Sequence, residues 1–511
     1  MFQIMDAKQA AGMIRDGDCV CVNAFLALSN AEEIHKAIYD RFRETGSPNN
    51  LTLVTQSGFG MWDENRLGEP YIAAGAVRKI ISGHYGSMVS TGRLVMQNAL
   101  EAYNLPMGAI SHAIRAQAAG QAGCLSKVGL GIFADPRVEG PGINDISKDD
   151  SLVRVVTVED DEYLFYKLPK FDIAIIKGTS VDPNGNISFE NEWVTVDALS
   201  VAQATKANNG KVIVQVDRVS HAFGRPWNVI VPGILVDAVV VCEPTTKSKT
   251  MHTLSGDIHV PVTHMQYWFE RIHANDAKLM SRSDSTADII AKRALRELKC
   301  GDVVNIGIGI PERVAMYASK SGIIKDINLT VESGGIGGLP ASGHAFGATI
   351  GADAIYHMSM QFDFYDGGGL DICFLGALEV DRFGNVNSHR GPNTFAGIGG
   401  FANIASAAKT VVFCLTFNAK GLETIEKDGT VYIQSEGSIP KFKKEIASIS
   451  FSARQAIKSG HRVLYVTERC VFRLTENGLE LVEVNPGIDV QRDILERLPF
   501  DVQVSPLCDR G

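Results

Sequence analysis

The sequence predicts an α/β fold of two related α/β domains with mostly parallel sheets. Three observations predict it. The chain has 511 residues, more than one hydrophobic core organises. Two of its segments recur in the same order. Short continuous apolar runs alternate with helix-like stretches, as they do where strands are buried on both faces.

The repeat fixes the plan. Gly17-Asp18-Cys19-Val20-Cys21-Val22-Asn23, followed by Glu32-Glu33-Ile34, resembles Gly301-Asp302-Val303-Val304-Asn305 followed by Pro311-Glu312. Later, the run from Phe171 and Asp172 to Val181-Asp182-Pro183-Asn184-Gly185-Asn186-Ile187 matches the run from Leu370 and Asp371 to Val380-Asp381-Arg382-Phe383-Gly384-Asn385-Val386. Asp18 and Asp172 lie much farther apart than Asp302 and Asp371, so the first half carries an insertion, for which Trp62 to Asp160 is the candidate. Strands are expected at 19–22, 173–178 and 212–216, and again at 303–309, 372–378, 410–417 and 462–468. Helices are expected over Asn30–Arg43 and Ala287–Leu298. The resulting domains are 1–250 and 285–511. They are joined by a linker over 251–284 that is rich in Ser, Lys, His and Met and weakly periodic.

Composition excludes several function classes. A net charge of -9 leaves no basic footprint for a nucleic acid. No apolar stretch is long enough for a membrane span, and Met1–Asp18 lacks the apolar core of a secretory signal, so a cytoplasmic location is expected. The nine cysteines are odd in number and scattered, and they read as small buried thiols. Cys19-Val20-Cys21 has no partner at ligand spacing, so burial in a strand is favoured over zinc, and no metal site is expected.

Three glycine-rich segments could carry chemistry. Gly307-Ile308-Gly309-Ile310-Pro311-Glu312 joins a strand to a helix, where glycines admit a ligand to the backbone and free N–H groups can meet a phosphate or carboxylate. It lacks the third glycine and the acidic residue of a dinucleotide fingerprint, so a tight turn is an equal reading. In Leu329-Thr330-Val331-Glu332-Ser333-Gly334-Gly335-Ile336-Gly337-Gly338, a single carboxylate ends a strand and meets four glycines. No basic residue stands beside it in sequence. Glycine permits turns and gives a bulky substrate clearance, so Glu332 is either a reacting carboxylate or a cap for the turn that follows. Gly397-Ile398-Gly399-Gly400-Phe401 either aims backbone N–H groups at an oxyanion or is a packing turn. Tyr365-Asp366-Gly367-Gly368-Gly369 is expected to let the next strand start close beneath the Glu332 loop.

Collinear motifs then carry a resemblance over nearly the whole length: Asp135-Pro136-Arg137, Gly185–Ile187, VVNIGIGIPE (303–312), VESGGIGG (331–338), QFDFYDGGGLDI (361–372), GIGGFANI (397–404), LYVTERCVF (464–472) and PGIDV (486–490). The chain resembles the family I coenzyme A transferases, closest to the single-chain propionate/acetate type in which α-type and β-type subunits of one fold are fused. The resemblance implies a CoA-transferase-like fold with an α-like domain followed by a β-like domain. It also implies transfer of CoA between short-chain acyl-CoA and free carboxylates. Glu332 stands at the catalytic glutamate, and the course is ping-pong through a glutamyl-CoA thioester, with no cofactor beyond CoA and no metal. It puts oxyanion donors at Gly399 and Gly400, an acyl pocket at Met107 and Phe25, and CoA-binding backbone at Gly307, Gly309, Gly334 and Gly335. The partners implied are acyl-CoA and small carboxylic acids, in a homodimer or homotetramer.

Two departures stand out. Where the family has a glutamine that donates to the oxyanion, this chain has Pro106-Met107-Gly108, and methionine cannot donate. Where the family has a small Gly-Phe element, this chain has Asn23-Ala24-Phe25. Transfer rate and acyl preference are the properties these changes touch. An acyl-CoA hydrolase on the same scaffold is the alternative that Met107 keeps open, and a non-catalytic acyl-CoA or sugar-phosphate binder is the third reading.

Overall fold

The computed structural model describes residues 2–148, 150–242, 285–341 and 343–509; the expected linker lies outside them. The first half is built on eight parallel strands: β1 (Gln3–Met5), β2 (Cys19–Asn23), β3 (Leu51–Thr55), β4 (Val77–Ser82), β5 (Glu101–Asn104), β6 (Ile173–Lys177), β7 (Lys211–Val216) and β8 (Ala238–Val241). Their order is β1-β8-β7-β6-β2-β3-β4-β5. Every residue of β2, β3 and β6 is buried, which is why β2 and β6 read as continuous rather than alternating apolar runs.

The second half is built on ten strands. They are β9 (Val303–Ile306), β10 (Asn328–Thr330), β11 (Gly335–Ile336), β12 (Ala354–Ile355), β13 (Ile372–Gly376), β14 (Thr410–Cys414), β15 (Arg462–Val466), β16 (Cys470–Thr475), β17 (Gly478–Val484) and β18 (Gln503–Asp509). The order is β12-β11-β10-β9-β13-β14-β15-β16-β17-β18. Strands β10, β9, β13, β14 and β15 are parallel neighbours. Antiparallel pairs flank them, β11 and β12 at one edge and β16 and β17 toward the other. Outside the two sheets, helices occupy Glu32–Thr45 and Ser285–Leu295, close to the expected stretches.

The sequence repeat is a structural repeat. The order β7-β6-β2-β3 recurs as β14-β13-β9-β10. The same polar bolts hold both copies: Asp172 accepts the Cys19 N–H at 2.9 Å, and Asp371 accepts the Val303 N–H at 2.9 Å. After β6 and β13 the chain turns back on an aspartate. Asp182 accepts the N–H groups of Asn184 and Asn186 at 2.8 and 2.9 Å, and Asp381 accepts those of Phe383 and Asn385, both at 2.9 Å. Gly185 and Gly384 complete these turns at φ +80° and +89°, a conformation that favours glycine.

The insertion adds β4 and β5 to the edge of the first sheet. It also supplies helix α1 (Met107–Ala118) and a three-stranded antiparallel sheet made of Cys124–Ser126, Val153–Val158 and Asp161–Tyr166. One apolar cluster runs across the boundary between the halves, packing Phe25, Leu28, Met107 and Trp193 with Met358 and Phe362. Six of the nine cysteines are buried; Cys124 and Cys508 are half-buried and Cys300 is exposed, because it lies in the turn before β9 rather than in a strand. Among the described residues no helix is long and apolar enough to cross a membrane.

The two aspartate turns differ electrostatically. Burial pushes both carboxyls up. At Asp182 the hydrogen bonds, led by Asn186, prevail and hold it below its usual value, whereas Asp381 stays above. Asp182 therefore stabilises the fold above the unfolded value near 3.8, and that stability is lost as pH falls through the lowered folded value. The contribution of Asp381 runs the other way, being lost as pH rises through its raised value. Asp182→Asn is expected to lower Tm at pH 7 by about 2 °C or more, with the loss fading in acid, while Asp381→Asn is tolerated better; thermal melts across pH check both.

Candidate active site

Strands β10, β9 and β13 end on one edge of the second sheet. Their register pairs Asn305 with Thr330 and Ile306 with Phe374, so the segments that follow lie side by side: Val331-Glu332, Gly307-Ile308-Gly309 and Ala377-Leu378. This carboxyl edge of a parallel sheet is where α/β folds hold ligands. The Glu332 loop is tight, with the Val331 N–H donating to Gly335 O at 2.9 Å and the Gly334 N–H to Val331 O at 3.0 Å.

Glu332 is 8% exposed and makes no ion pair among the described residues. Burial raises its carboxyl above the usual glutamate value; its own backbone N–H and the Asn305 amide oppose the rise by hydrogen-bonding the charged form. Asn305 is itself held in place. Its Nδ2 donates to Thr330 O at 3.3 Å and to the Tyr365 hydroxyl at 3.4 Å, and that hydroxyl donates to Thr330 Oγ1 at 2.9 Å. Tyr365 comes from helix α2 (Met358–Asp366); the strand that follows does not start beneath the Glu332 loop as expected, because β13 runs parallel to β9 and β10 and so begins at the opposite edge of the sheet. Asn305 was not singled out in the sequence as a site residue, although one signal was present: it is the lone polar residue in the apolar run Val303–Ile306 and is 2% exposed.

The facing wall comes from both halves. A Cβ on Gly400 would lie 3.0 Å from Glu332 Cγ, so glycine there lets the chain pass directly against the Glu332 side chain. Helix α3 (Phe401–Ala407) follows. From the first half, Met107 begins α1, donates its N–H to Gly399 O at 3.0 Å, and brings its Cε to 3.7 Å from the position of a Cβ on Gly399. Asn104 accepts the Ile398 N–H at 2.9 Å, which ties β5 to the same loop.

One further expectation needs correction. The Gly399 N–H is not free for an oxyanion, because it donates to Gly83 O at 2.7 Å; of the pair, Gly400 alone has an N–H with no acceptor among the described residues. Gly334 and Gly335 are close-packed, since a Cβ on them would lie 2.1 Å from Tyr356 O and 2.0 Å from Thr349 Oγ1. Gly307 is also close-packed, 3.2 Å from Phe374 O, whereas Gly309 at φ +82° faces open space. Phe25 is fully buried in the cluster that holds Met107, and a Cβ on Gly347 would collide with its ring.

The first half carries a silent copy of the site. Its β2/β3 register pairs Cys19 with Thr52, as β9/β10 pairs Val303 with Asn328. Counting onward puts Gln56, in Leu53-Val54-Thr55-Gln56-Ser57-Gly58, where the second half has Glu332. An amide cannot attack as a carboxylate does, so of the two equivalent positions only Glu332 offers a candidate nucleophile. A cavity of about 870 Å³ lies elsewhere, against α1, α2 and α3, with His112, Arg115, Asp366 and Gln455 among its walls; Glu332 is not one of them, and the glycine-lined edge remains the candidate site.

Comparison with known proteins identifies the family and the fold. The Coenzyme A transferase family matches residues 4–242 and 287–494. The chain is 37% identical over 509 residues to the acetate CoA-transferase YdiF of Escherichia coli K12, covering 98% of this chain and 93% of the relative. It is 39% identical over 522 residues to the caffeate CoA-transferase of Acetobacterium woodii, with 99% and 95% covered. The crystal structure of the acyl-CoA transferase YdiF apoenzyme from Escherichia coli O157:H7 superposes with a TM-score of 0.90 at 36% identity, covering 99% and 95%. Its thioester complex with CoA gives 0.88 at 35% identity, covering 99% and 94%.

Asn305→Ala removes one of the groups that favour ionised Glu332. The carboxyl then rises further, so the acid limb of any reaction using it as a nucleophile moves to higher pH. At neutral pH the rate is expected to fall about tenfold, the worth of one hydrogen bond to a charged group; a pH–rate profile of the variant against wild type checks it.

Proposed function

The chain belongs to the Coenzyme A transferase family, and we propose that Glu332 is its covalent carrier. It is an acyl-CoA:carboxylate CoA-transferase. The observation that carries the assignment of Glu332 is a carboxylate buried at the carboxyl edge of the sheet with no cation beside it among the described residues, and with Gly400 pressed against its side chain.

Such a group reacts readily once water is excluded. Its oxygen adds to the thioester carbon of acyl-CoA, and collapse of the tetrahedral intermediate breaks the C–S bond, leaving an acyl-glutamyl anhydride and CoA thiolate. The thiolate attacks the glutamyl carbonyl, which releases the acid and leaves CoA on Glu332 as a thioester. An incoming carboxylate then runs the two steps in reverse. Charge moves between carboxylate, oxyanion and thiolate without leaving the site, so neither ATP nor a metal enters the scheme. The Gly400 N–H is the donor of the GIGG loop still open to the oxyanion, and Met107 adds none. The same reading takes CoA as the only cofactor-like molecule, short acids of the acetate or propionate type as substrates, a homodimer or homotetramer as the assembly and the cytoplasm as the location. A hydrolase is disfavoured, since the full-length relatives are named as transferases.

Incubation with acetyl-CoA and no acceptor acid is expected to leave CoA on the peptide carrying Glu332, read by mass spectrometry. Glu332→Gln should abolish both adduct and transfer, and should raise Tm at neutral pH, because the charged form is the one that burial penalises. That gain is lost as pH falls toward 4.5 and below, where the wild-type carboxyl takes up its proton. An adduct elsewhere, or undiminished transfer, would end the assignment.

Met107→Gln supplies the missing side-chain donor. A donor of this kind is worth up to about a hundredfold in rate, so kcat on acetate and propionate is expected to rise. A slower variant that also loses preference for a bulky aromatic acid would instead make the thioether a substrate contact. Unchanged rates and preference across the acids would remove Met107 from the site.

A further inference from the structure

The wall opposite Glu332 hangs on one buried side chain. Asn403, on α3 three residues beyond Gly400, is fully buried. Its Oδ1 accepts the Gly108 N–H of the first half at 3.1 Å, and its Nδ2 donates to both oxygens of Asp366 on α2 at 3.0 and 3.2 Å. Gly108 must be glycine for this to happen, since a Cβ would stand 2.3 Å from Asn403 Nδ2 and 2.8 Å from Phe362 Cγ. Gly108 follows Met107, and Met107 is bound to Gly399. A single amide therefore connects helix α2, the loop pressed on the carrier, and the helix that brings in the other half.

We propose that Asn403 is a positioning residue for the transfer reaction: by bridging Gly108 to Asp366 it sets how closely the Gly399–Gly400 loop and Met107 approach Glu332. The Asn403 side chain hydrogen-bonds Gly108 and Asp366 and not Glu332, so its effect is on the placement of the wall. The amide is required because the bridge needs an acceptor on one side and a donor on the other. Asparagine supplies both, and aspartate supplies only acceptors when ionised.

The surroundings of Asp366 make this testable by pH. Burial raises its carboxyl to about 6, Asp363 adds to the rise, and His112 and Asn403 oppose it. His112 Nδ1 lies 3.8 Å from Asp366, and Arg115 is paired with Asp363. Cys124 and Tyr166 also face it, both held protonated by burial.

The proposal rests on Glu332 as the carrier, and the experiment follows the rate at which acetyl-CoA loads Glu332 in the full-length protein, by quenched-flow mass spectrometry. A failure of the carrier assignment shows in wild type, whereas a failure of the bridge shows only in the variants. Asn403→Asp sets two carboxylates against each other and is expected to slow loading about tenfold to a hundredfold at pH 8. The KM for acetyl-CoA should stay within about twofold, because a positioning effect on the wall falls on the chemical step rather than on binding. As pH is lowered toward 6 the pair takes up a shared proton, and much of the rate should return. The double variant Asn403→Asp with Asp366→Asn restores one donor and one acceptor and should recover most of the loss at pH 8. Loading by Asn403→Asp within about twofold of wild type at pH 8 overturns the proposal. So does a double variant with wild-type Tm that stays as slow as the single one. If Asn403→Asp does not fold, the double variant alone decides.

Discussion

A carboxylate held out of water, with no cation beside it among the described residues, is the constraint on which the proposed chemistry depends. As the proposed carrier, Glu332 must be ionised to attack, and burial opposes ionisation. A lysine or arginine at hydrogen-bonding distance would ease the charge but would also blunt the nucleophile and fill the space a thioester needs. The structure answers with weaker, directed help: a backbone N–H and the Asn305 amide. That help works only if Asn305 is rigid, so Tyr365 and Thr330 hold it from below. The cost of keeping the charge dry is carried by the two parallel sheets and the apolar cluster between them.

The two halves share a scaffold and divide the labour. Each has the same aspartate bolt at the foot of its central strands and the same aspartate turn at the top. They differ at the strand end, where Gln56 stands in one and Glu332 in the other. They differ again in the insertion, which extends the first sheet and delivers α1 to the site. The first half thus supplies a wall rather than a second reaction centre. Its hydrogen bonds with the GIGG loop come from the backbone of Gly83 and Met107 and from the short amide side chain of Asn104, with no long side chain among them.

Glycine serves different ends along this edge. At Gly400 the absent Cβ leaves room for Glu332 itself. At Gly334 and Gly335 it leaves room for Tyr356 and Thr349, which pack the back of the loop and fix its path. A glycine-rich motif therefore looks the same in sequence whether its clearance is for a ligand or for a neighbouring strand.

The sequence alone determined the α/β class and the duplication, and it singled out Glu332 as the candidate carrier. Apolar runs, paired aspartates and a single carboxylate among glycines are local patterns, and the physics behind each acts within a few residues. It could not determine which glycine N–H groups were free, because Gly83 and Gly399 are far apart along the chain and meet only when the halves pack. Nor could it single out Asn305 or Asn403: a buried amide in an apolar run is unremarkable until its partners, Tyr365 and Glu332 for one and Gly108 and Asp366 for the other, arrive from distant elements. Hydrogen bonding is decided by distance and direction in space, and for these residues only the tertiary structure supplies both.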